Sequence, residues 1–311
     1  MQRRSVRFFS ERFMLNGDLY LPEGASPDSQ HPVVIACSGY QGLKNIQPAR
    51  FARALVRDGY LCLAFDYRGF GENEGERGRL VPRDQIEDVR AAVGYLTTVP
   101  EVDPDAIVVL GWGMGGGIAV AEAADDPWVR AVVSVNGLAS GQRVTRAMHT
   151  EQFWQDLLQR VGQDRRRRAQ GERSELVHPF EAVRLDAVTA SYANTELYKY
   201  AGFGSAVTLE SIDNLLRFWP ENVVDRIAPR PLLLIHGLDN QLHLPEESRQ
   251  LYRRAGESKK LVLLENAGHT EWMFDDHPTF KRVTDAIRTF LTEALQDKQT
   301  AESPPAAISS A

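Results

Sequence analysis

Six short runs of continuous apolar residues punctuate the chain: Val33–Ala36, Leu61–Phe65, Ile107–Leu110, Ala131–Val135, Leu232–Ile235 and Leu261–Leu264. An apolar run without polar alternation is the signature of a strand covered on both faces. Between these runs lie helical patterns. Ile86, Val89, Val93 and Leu96 recur at spacings of three and four, as do Phe280, Val283, Ile287 and Phe290. Phe51 with Leu55, and Leu251 with Tyr252 and Ala255, mark two shorter helices. Buried strands alternating with helices predict an α/β fold with a mostly parallel sheet and helices on both faces.

The alternation fails once, over residues 137–220, which are rich in Gln, Arg and aromatics and hold no buried-strand run. Trp154, Leu157, Leu158 and Val161 sit at helical spacing there, ahead of the basic run Arg165–Arg168, and Ile212–Phe218 reads as another helix. The stretch is expected to be a helical cap inserted into one sheet, because the strand pattern resumes at Arg230-Pro231-Leu232. The expected organisation is a first core part over 1–136, the cap over 137–220, a second core part over 221–295 and a disordered tail over 296–311. Two shorter β-like runs, Val6–Phe9 and Met14–Leu21, precede the main pattern.

A net charge of −6 from 36 basic and 42 acidic side chains supplies no bulk field for nucleic acid or an anionic membrane. No apolar stretch approaches the ~18 residues of a membrane span. Charges interrupt the first residues too soon for a signal peptide, so a cytoplasmic location is expected. Cys37 and Cys62 lie in apolar runs and read as buried thiols. No Cys/His cluster has zinc spacing and no phosphate-binding Walker loop appears, so neither a metal nor a cofactor is expected. A small molecule is the expected partner, and the sequence leaves a homodimer open.

The segment Ile107-Val108-Val109-Leu110-Gly111-Trp112-Gly113-Met114-Gly115-Gly116-Gly117-Ile118-Ala119 carries the most chemical information. A buried strand enters a glycine-flanked turn and then a small-residue helix. That is the setting of a nucleophile elbow, Gly-x-Ser-x-Gly, although any glycine-rich strand-to-helix turn reads alike. Four further motifs follow in order: Ser38-Gly39-Tyr40-Gln41-Gly42, Asp66–Gly75, Leu234-Ile235-His236-Gly237-Leu238-Asp239-Asn240, and Ala267-Gly268-His269. With these anchors the chain resembles the α/β-hydrolase fold superfamily, nearest to its dienelactone-hydrolase-like and Xaa-Pro dipeptidyl-peptidase-like branches, from about Pro22 to Leu295. The resemblance implies an oxyanion loop at Gly39 and Tyr40, a triad acid near Asn240 and a triad histidine at His269. It also implies an oxyanion-hole N–H at Met114, just after the elbow.

Two departures bear on function. The position of the serine is Gly113, which has no side chain to attack a carbonyl. The position of the acid is Asn240, which can hydrogen-bond an imidazole but cannot stabilise an imidazolium by charge. Asp239 would replace it after a shift of one residue. Gly113 admits three readings: room for substrate or water above a working oxyanion hole, a lost site with a relaxed elbow, or an engineered change. Asn240 speaks against the last, since disabling the nucleophile does not require altering the acid.

Ser38, Trp154 and Tyr198 are candidate substrate contacts, and other cap aromatics (Tyr192, Tyr200, Phe203, with His149) either line a pocket or pack the cap. Asp66 and Arg68 are expected to brace their loop, Arg165–Arg168 to form a solvated face, and His236 to be structural. The expectation is an enzyme acting on a small carbonyl compound by non-covalent acid/base chemistry through His269 and a backbone oxyanion hole, of lyase, cyclase, epimerase or decarboxylase type. An ester, thioester or amide hydrolase altered at position 113, and a non-catalytic binder, are the alternatives.

Overall fold

A computed structural model describes residues 1–41 and 43–296. Strands β1 (Gln2–Ser10) and β2 (Phe13–Leu21) form an antiparallel hairpin that turns at Glu11, where φ is 52°. The six apolar runs become β3 (His31–Cys37), β4 (Leu61–Phe65), β5 (Val102–Trp112), β6 (Val129–Val135), β7 (Leu232–Gly237) and β8 (Lys259–Leu264). Among the described residues these eight strands make one sheet in the order β1-β2-β4-β3-β5-β6-β7-β8. It is parallel from β4 to β8, and β2 runs antiparallel to β4.

Helices α1 (Gln47–Val56), α2 (Pro82–Leu96) and α3 (Met114–Asp125) connect the first strands. Five helices, α4 (Gly141–Ala147), α5 (Glu151–Ala169), α6 (Pro179–Ala182), α7 (Ala187–Thr195) and α8 (Leu209–Leu216), lie between β6 and β7. Helices α9 (Glu246–Arg254) and α10 (Pro278–Gln296) complete the core. The two faces of the sheet pack separate cores. On one, Val33, Ile35, Val109 and Ile118 meet; on the other, Val34, Val108, Phe280 and Ile287 do. No helix of the described residues is long and apolar enough to cross a membrane.

The α4–α8 segment has a small core of its own built on Trp154, Leu157, Val161, Leu209 and Ile212. Arg165 and Arg166 of the basic run are exposed, as expected of a solvated face, and Arg165, Arg167 and Arg168 also make ion pairs. Arg165 and Arg168 hold Asp213 at 2.5 and 3.1 Å, and Arg168 Nε donates to Asp164 at 2.8 Å. The root of this segment is tied to α9 by Glu247, whose carboxylate accepts the N–H groups of Ala139 (2.8 Å) and Ser140 (2.9 Å) and pairs with Arg143. Gln296, expected to open the tail, is the last residue of α10; residues 297–311 of that expected tail lie outside the described residues. Cys37 and Cys62 are free and buried.

Close backbone contact between β5, α3 and the β3 loop is possible only because glycines line it. A Cβ on Gly115 would lie 2.2 Å from the Ser38 carbonyl oxygen, and one on Gly111 would lie 1.9 Å from that of Gly115. Gly115→Ala is therefore expected to cost about 3 kcal/mol or more, since only backbone stands in the way. Gly94→Ala on α2, where a Cβ meets nothing within 4 Å, should gain about 1 kcal/mol from helix propensity. Urea unfolding of the two variants checks the contrast, and equal stabilities would contradict the packing described.

Candidate active site

The elbow sits where β5 runs into α3 without a loop. Gly113 there has φ 60° and ψ −125°, a conformation that strains any side-chain-bearing residue. Its N–H donates to the Val135 carbonyl (3.0 Å), which anchors the turn to the neighbouring strand. A Cβ at this position would lie 3.5 Å from His269 Nε2 and 4.0 Å from His243 Cε1. The position thus lies beneath the His269 ring, and glycine leaves it without a side chain. As the first residue of α3, Met114 has an N–H with no helical acceptor, and it lines the same cavity as Ser38, Gly39 and Tyr40. Gly39 is confined by the Trp112 ring, which a Cβ would meet at 2.8 Å.

The support behind His269 differs from that of a catalytic triad in one respect. Asn240 Oδ1 accepts the backbone N–H groups of Leu242 (3.1 Å) and His243 (2.9 Å). Two N–H donors on one amide atom identify it as the oxygen, so the orientation follows from the network. The amide nitrogen then faces His269 Nδ1 at 3.1 Å. An NH2 group only donates, so Nδ1 must accept, and the neutral ring carries its proton on Nε2. A triad carboxylate imposes the opposite tautomer and leaves Nε2 as the base.

Asn136 holds the surroundings. At the end of β6, with φ 49°, it accepts the Gly237 N–H on Oδ1 (2.9 Å) and donates from Nδ2 to the carbonyls of Gly268 (3.1 Å) and His269 (3.0 Å). Its backbone carbonyl accepts from His243 Nδ1 at 2.9 Å. His236 is structural, as expected: Nδ1 meets Ser248 Oγ at 2.7 Å and Nε2 donates to the His243 carbonyl at 2.8 Å. Arg68 and Asp66 do brace their loop, through Asp88 and the Lys44 N–H respectively.

Burial pushes His243 and His236 down to about 4. It also holds His269 well below the usual histidine range, with the neighbouring rings of His243 and His236 adding to the effect. All three are neutral at pH 7. The described residues lining the cavity include no Asp, Glu, Lys or Arg; the walls are mainly apolar, from Met148, Val144, Leu215 and Phe203 among others. Three lining hydroxyls, of Ser38, Thr145 and Thr270, are buried without a protein hydrogen-bond partner.

His269, Gly113, Gly39, Tyr40, Met114 and Ser38 are brought together around this cavity, with Asn240 behind His269. Three expected site residues are not. Asp239 is exposed, because the turn after β7 directs residue 240 inward, so it does not replace Asn240. Trp154 is packed in the core of the α4–α8 segment, where the Arg146 guanidinium lies 5.8 Å from its ring centroid. Tyr198 is 45% exposed, set edge-on against Phe203, and it is Phe203 that reaches the cavity. The sequence reading gave no role to His243 or Asn136. A histidine three residues past the acid position was the visible signal for the first; nothing in the sequence marked the second.

Residues 28–276 match the Hydrolase_4 family, described as serine aminopeptidase, S33. Among curated proteins the chain is 27% identical over 269 residues to an uncharacterized 31.7 kDa protein of the traX-finO intergenic region of Escherichia coli, covering 86% of this chain and 92% of that protein. It is 28% identical over 287 residues to the polyketide transferase ATR5 of Stachybotrys chlorohalonatus, covering 86% and 90%. Among solved structures, the hypothetical protein PA2218 of Pseudomonas aeruginosa superposes with a TM-score of 0.80 at 26% identity, over 94% of each chain.

The buried neutral histidines have a spectroscopic consequence. In histidine-ring NMR titrations, His236 and His243 should take up protons only near pH 4, and none of the three rings should titrate between about pH 6 and 8. A ring among them with a midpoint near 6.5 would contradict the burial described.

Proposed function

The chain belongs to the Hydrolase_4 family, with an α/β-hydrolase fold, and we propose that it is an enzyme that works without an acyl-serine. In this reading it moves a proton next to the carbonyl of a small, largely apolar compound. The observation that carries the reading is the Asn240 amide facing His269 Nδ1. It makes His269 a hydrogen-bond donor toward the space above Gly113, where no nucleophile stands. A neutral imidazole that donates from Nε2 polarises a carbonyl oxygen without itself becoming charged. The N–H groups at Met114 and Gly39–Tyr40 would share the charge that develops on that oxygen. Enolate-forming reactions suit such a site, whether they end in isomerisation, cyclisation or loss of a group.

The cavity supports a substrate of this kind. Its walls are apolar, while the Ser38, Thr145 and Thr270 hydroxyls await partners on a ligand that carries a few oxygens. A relative named a polyketide transferase is consistent with that chemistry, since polyketides are carbon chains bearing carbonyl and hydroxyl groups.

The direct test follows proton exchange at the carbon beside a carbonyl. 1-Phenyl-2-propanone incubated with the protein in D2O should lose α-protons faster than in buffer, as read by proton NMR. His269→Ala should reduce the enzymatic rate about 10²-fold or more, the scale of losing one preorganised donor. Saturable binding of the ketone with no exchange would contradict the reading and leave a ligand-binding protein. A separate arm uses a fluorophosphonate probe. The native protein should not be labelled, and Gly113→Ser alone should react poorly because Asn240 keeps the wrong tautomer. The pair Gly113→Ser with Asn240→Asp should react faster than the single variant by up to about 10⁴-fold.

A further inference from the structure

We propose that His243 is the proton acceptor of this site, paired with His269 as donor through opposite tautomers; the proposal rests on the non-covalent reading above. The two rings are neighbours, with centroids 4.7 Å apart and planes at 62°. Both lie over Gly113, through His269 Nε2 and His243 Cε1. Their hydrogen bonds set them in opposite senses. His243 Nδ1 faces the Asn136 carbonyl at 2.9 Å, and a carbonyl only accepts, so Nδ1 carries the proton and Nε2 keeps its lone pair. His269 Nδ1 faces an amide NH2, so its lone pair is spent there and its proton sits on Nε2.

Elimination leads to the same residue. The described residues lining the cavity include no carboxylate and no amine, and the Tyr40 hydroxyl is committed to the Pro179 carbonyl at 3.3 Å. The titratable groups nearest His243 are His269 on the neighbouring loop and His236 on β7. His269 offers a proton rather than a lone pair, and His236 has both nitrogens engaged. His243 Nε2 has no protein hydrogen-bond partner among the described residues and belongs to a ring that lines the cavity.

The loop after β7 builds this arrangement with a single side chain. Asn240 Oδ1 accepts the His243 N–H, which folds the loop back and seats the second ring, while its Nδ2 sets the tautomer of the first. Glycine at 113 leaves the space beneath the two rings open for a reacting carbon.

The step balances without a co-reactant. The C–H bond beside the substrate carbonyl breaks, and its proton goes to His243 Nε2. The electron pair forms the C=C bond of an enolate, and the former C=O π pair moves to oxygen, which accepts hydrogen bonds from His269 Nε2–H and the backbone donors. Burial keeps His243 unprotonated at neutral pH, and the imidazolium arises only beside an enolate of opposite charge. Return of the proton, or of a deuteron after exchange with solvent, completes the cycle.

The test uses 1-phenyl-2-propanone in D2O with the full-length protein and His243→Asn. The asparagine amide keeps a donor for the Asn136 carbonyl and supplies no base. The expected result is a fold and ketone Kd close to native, an exchange rate at least 100-fold lower, and partial recovery on adding free imidazole. Native exchange in His243→Asn, alongside loss in His269→Ala, would overturn the assignment of His243 and leave the non-covalent reading standing. No exchange by the unmodified protein would remove that reading and this proposal together. If His243→Asn fails to fold, His243→Gln carries the same comparison.

Discussion

The Asn240 amide is the fixed point of the site. Its oxygen is saturated by the N–H groups of Leu242 and His243, so its nitrogen has to face His269. A carboxylate at the same place would accept from the imidazole and turn Nε2 into a base for a nucleophile. An amide reverses the polarity of that bond and turns Nε2 into a donor. Glycine at the elbow follows the same logic, since a histidine that cannot accept a proton on Nε2 has no use for a serine beneath it. In the proposed function Gly113 and Asn240 are thus physically coupled: each removes what the other would need.

The network stays in place because the scaffold around it is rigid. Asn136 stitches chain segments together with one residue, binding Gly237 on β7, Gly268 and His269 on the loop after β8, and His243 on the loop after β7 through its own carbonyl. Asparagine is among the few residues with a side chain that tolerate its left-handed backbone. Below it, Gly111, Gly115 and Gly116 let strand and helix approach to distances that a Cβ would forbid. Among the described residues the walls of the cavity above carry no Asp, Glu, Lys or Arg, which favours neutral histidines and strengthens every hydrogen bond that a ligand makes there.

Much of this architecture was legible in the sequence, for physical reasons. Apolar runs such as Val33–Ala36 and Leu232–Ile235 fit strands covered on both faces, and their alternation with helices points to a parallel sheet. The glycines around position 113 announced a backbone contact, and the order of motifs pointed to Asn240 and His269, which the structure sets 3.1 Å apart. What failed were statements about side-chain direction. Asp239 and Asn240 are adjacent, and the turn after β7, invisible in composition, decides which of them points inward. Trp154 and Tyr198 were expected at the cavity because they are aromatic, yet α5 turns Trp154 into the core of the α4–α8 segment and Tyr198 faces solvent. Asn136 acts through bonds to backbone carbonyls and N–H groups, which leave no residue pattern to read, and His243 showed only as a histidine three residues past the acid position.

The claim on which the rest turns is the protonation of one ring. Nitrogen-15 NMR of the histidine side chains at neutral pH distinguishes a nitrogen that bears hydrogen from one that does not. For His269 the expected spectrum shows Nδ1 unprotonated and Nε2 bearing hydrogen. Hydrogen on Nδ1 with a bare Nε2 would mean that the ring is a base of the ordinary triad kind, and would contradict the function assigned to it.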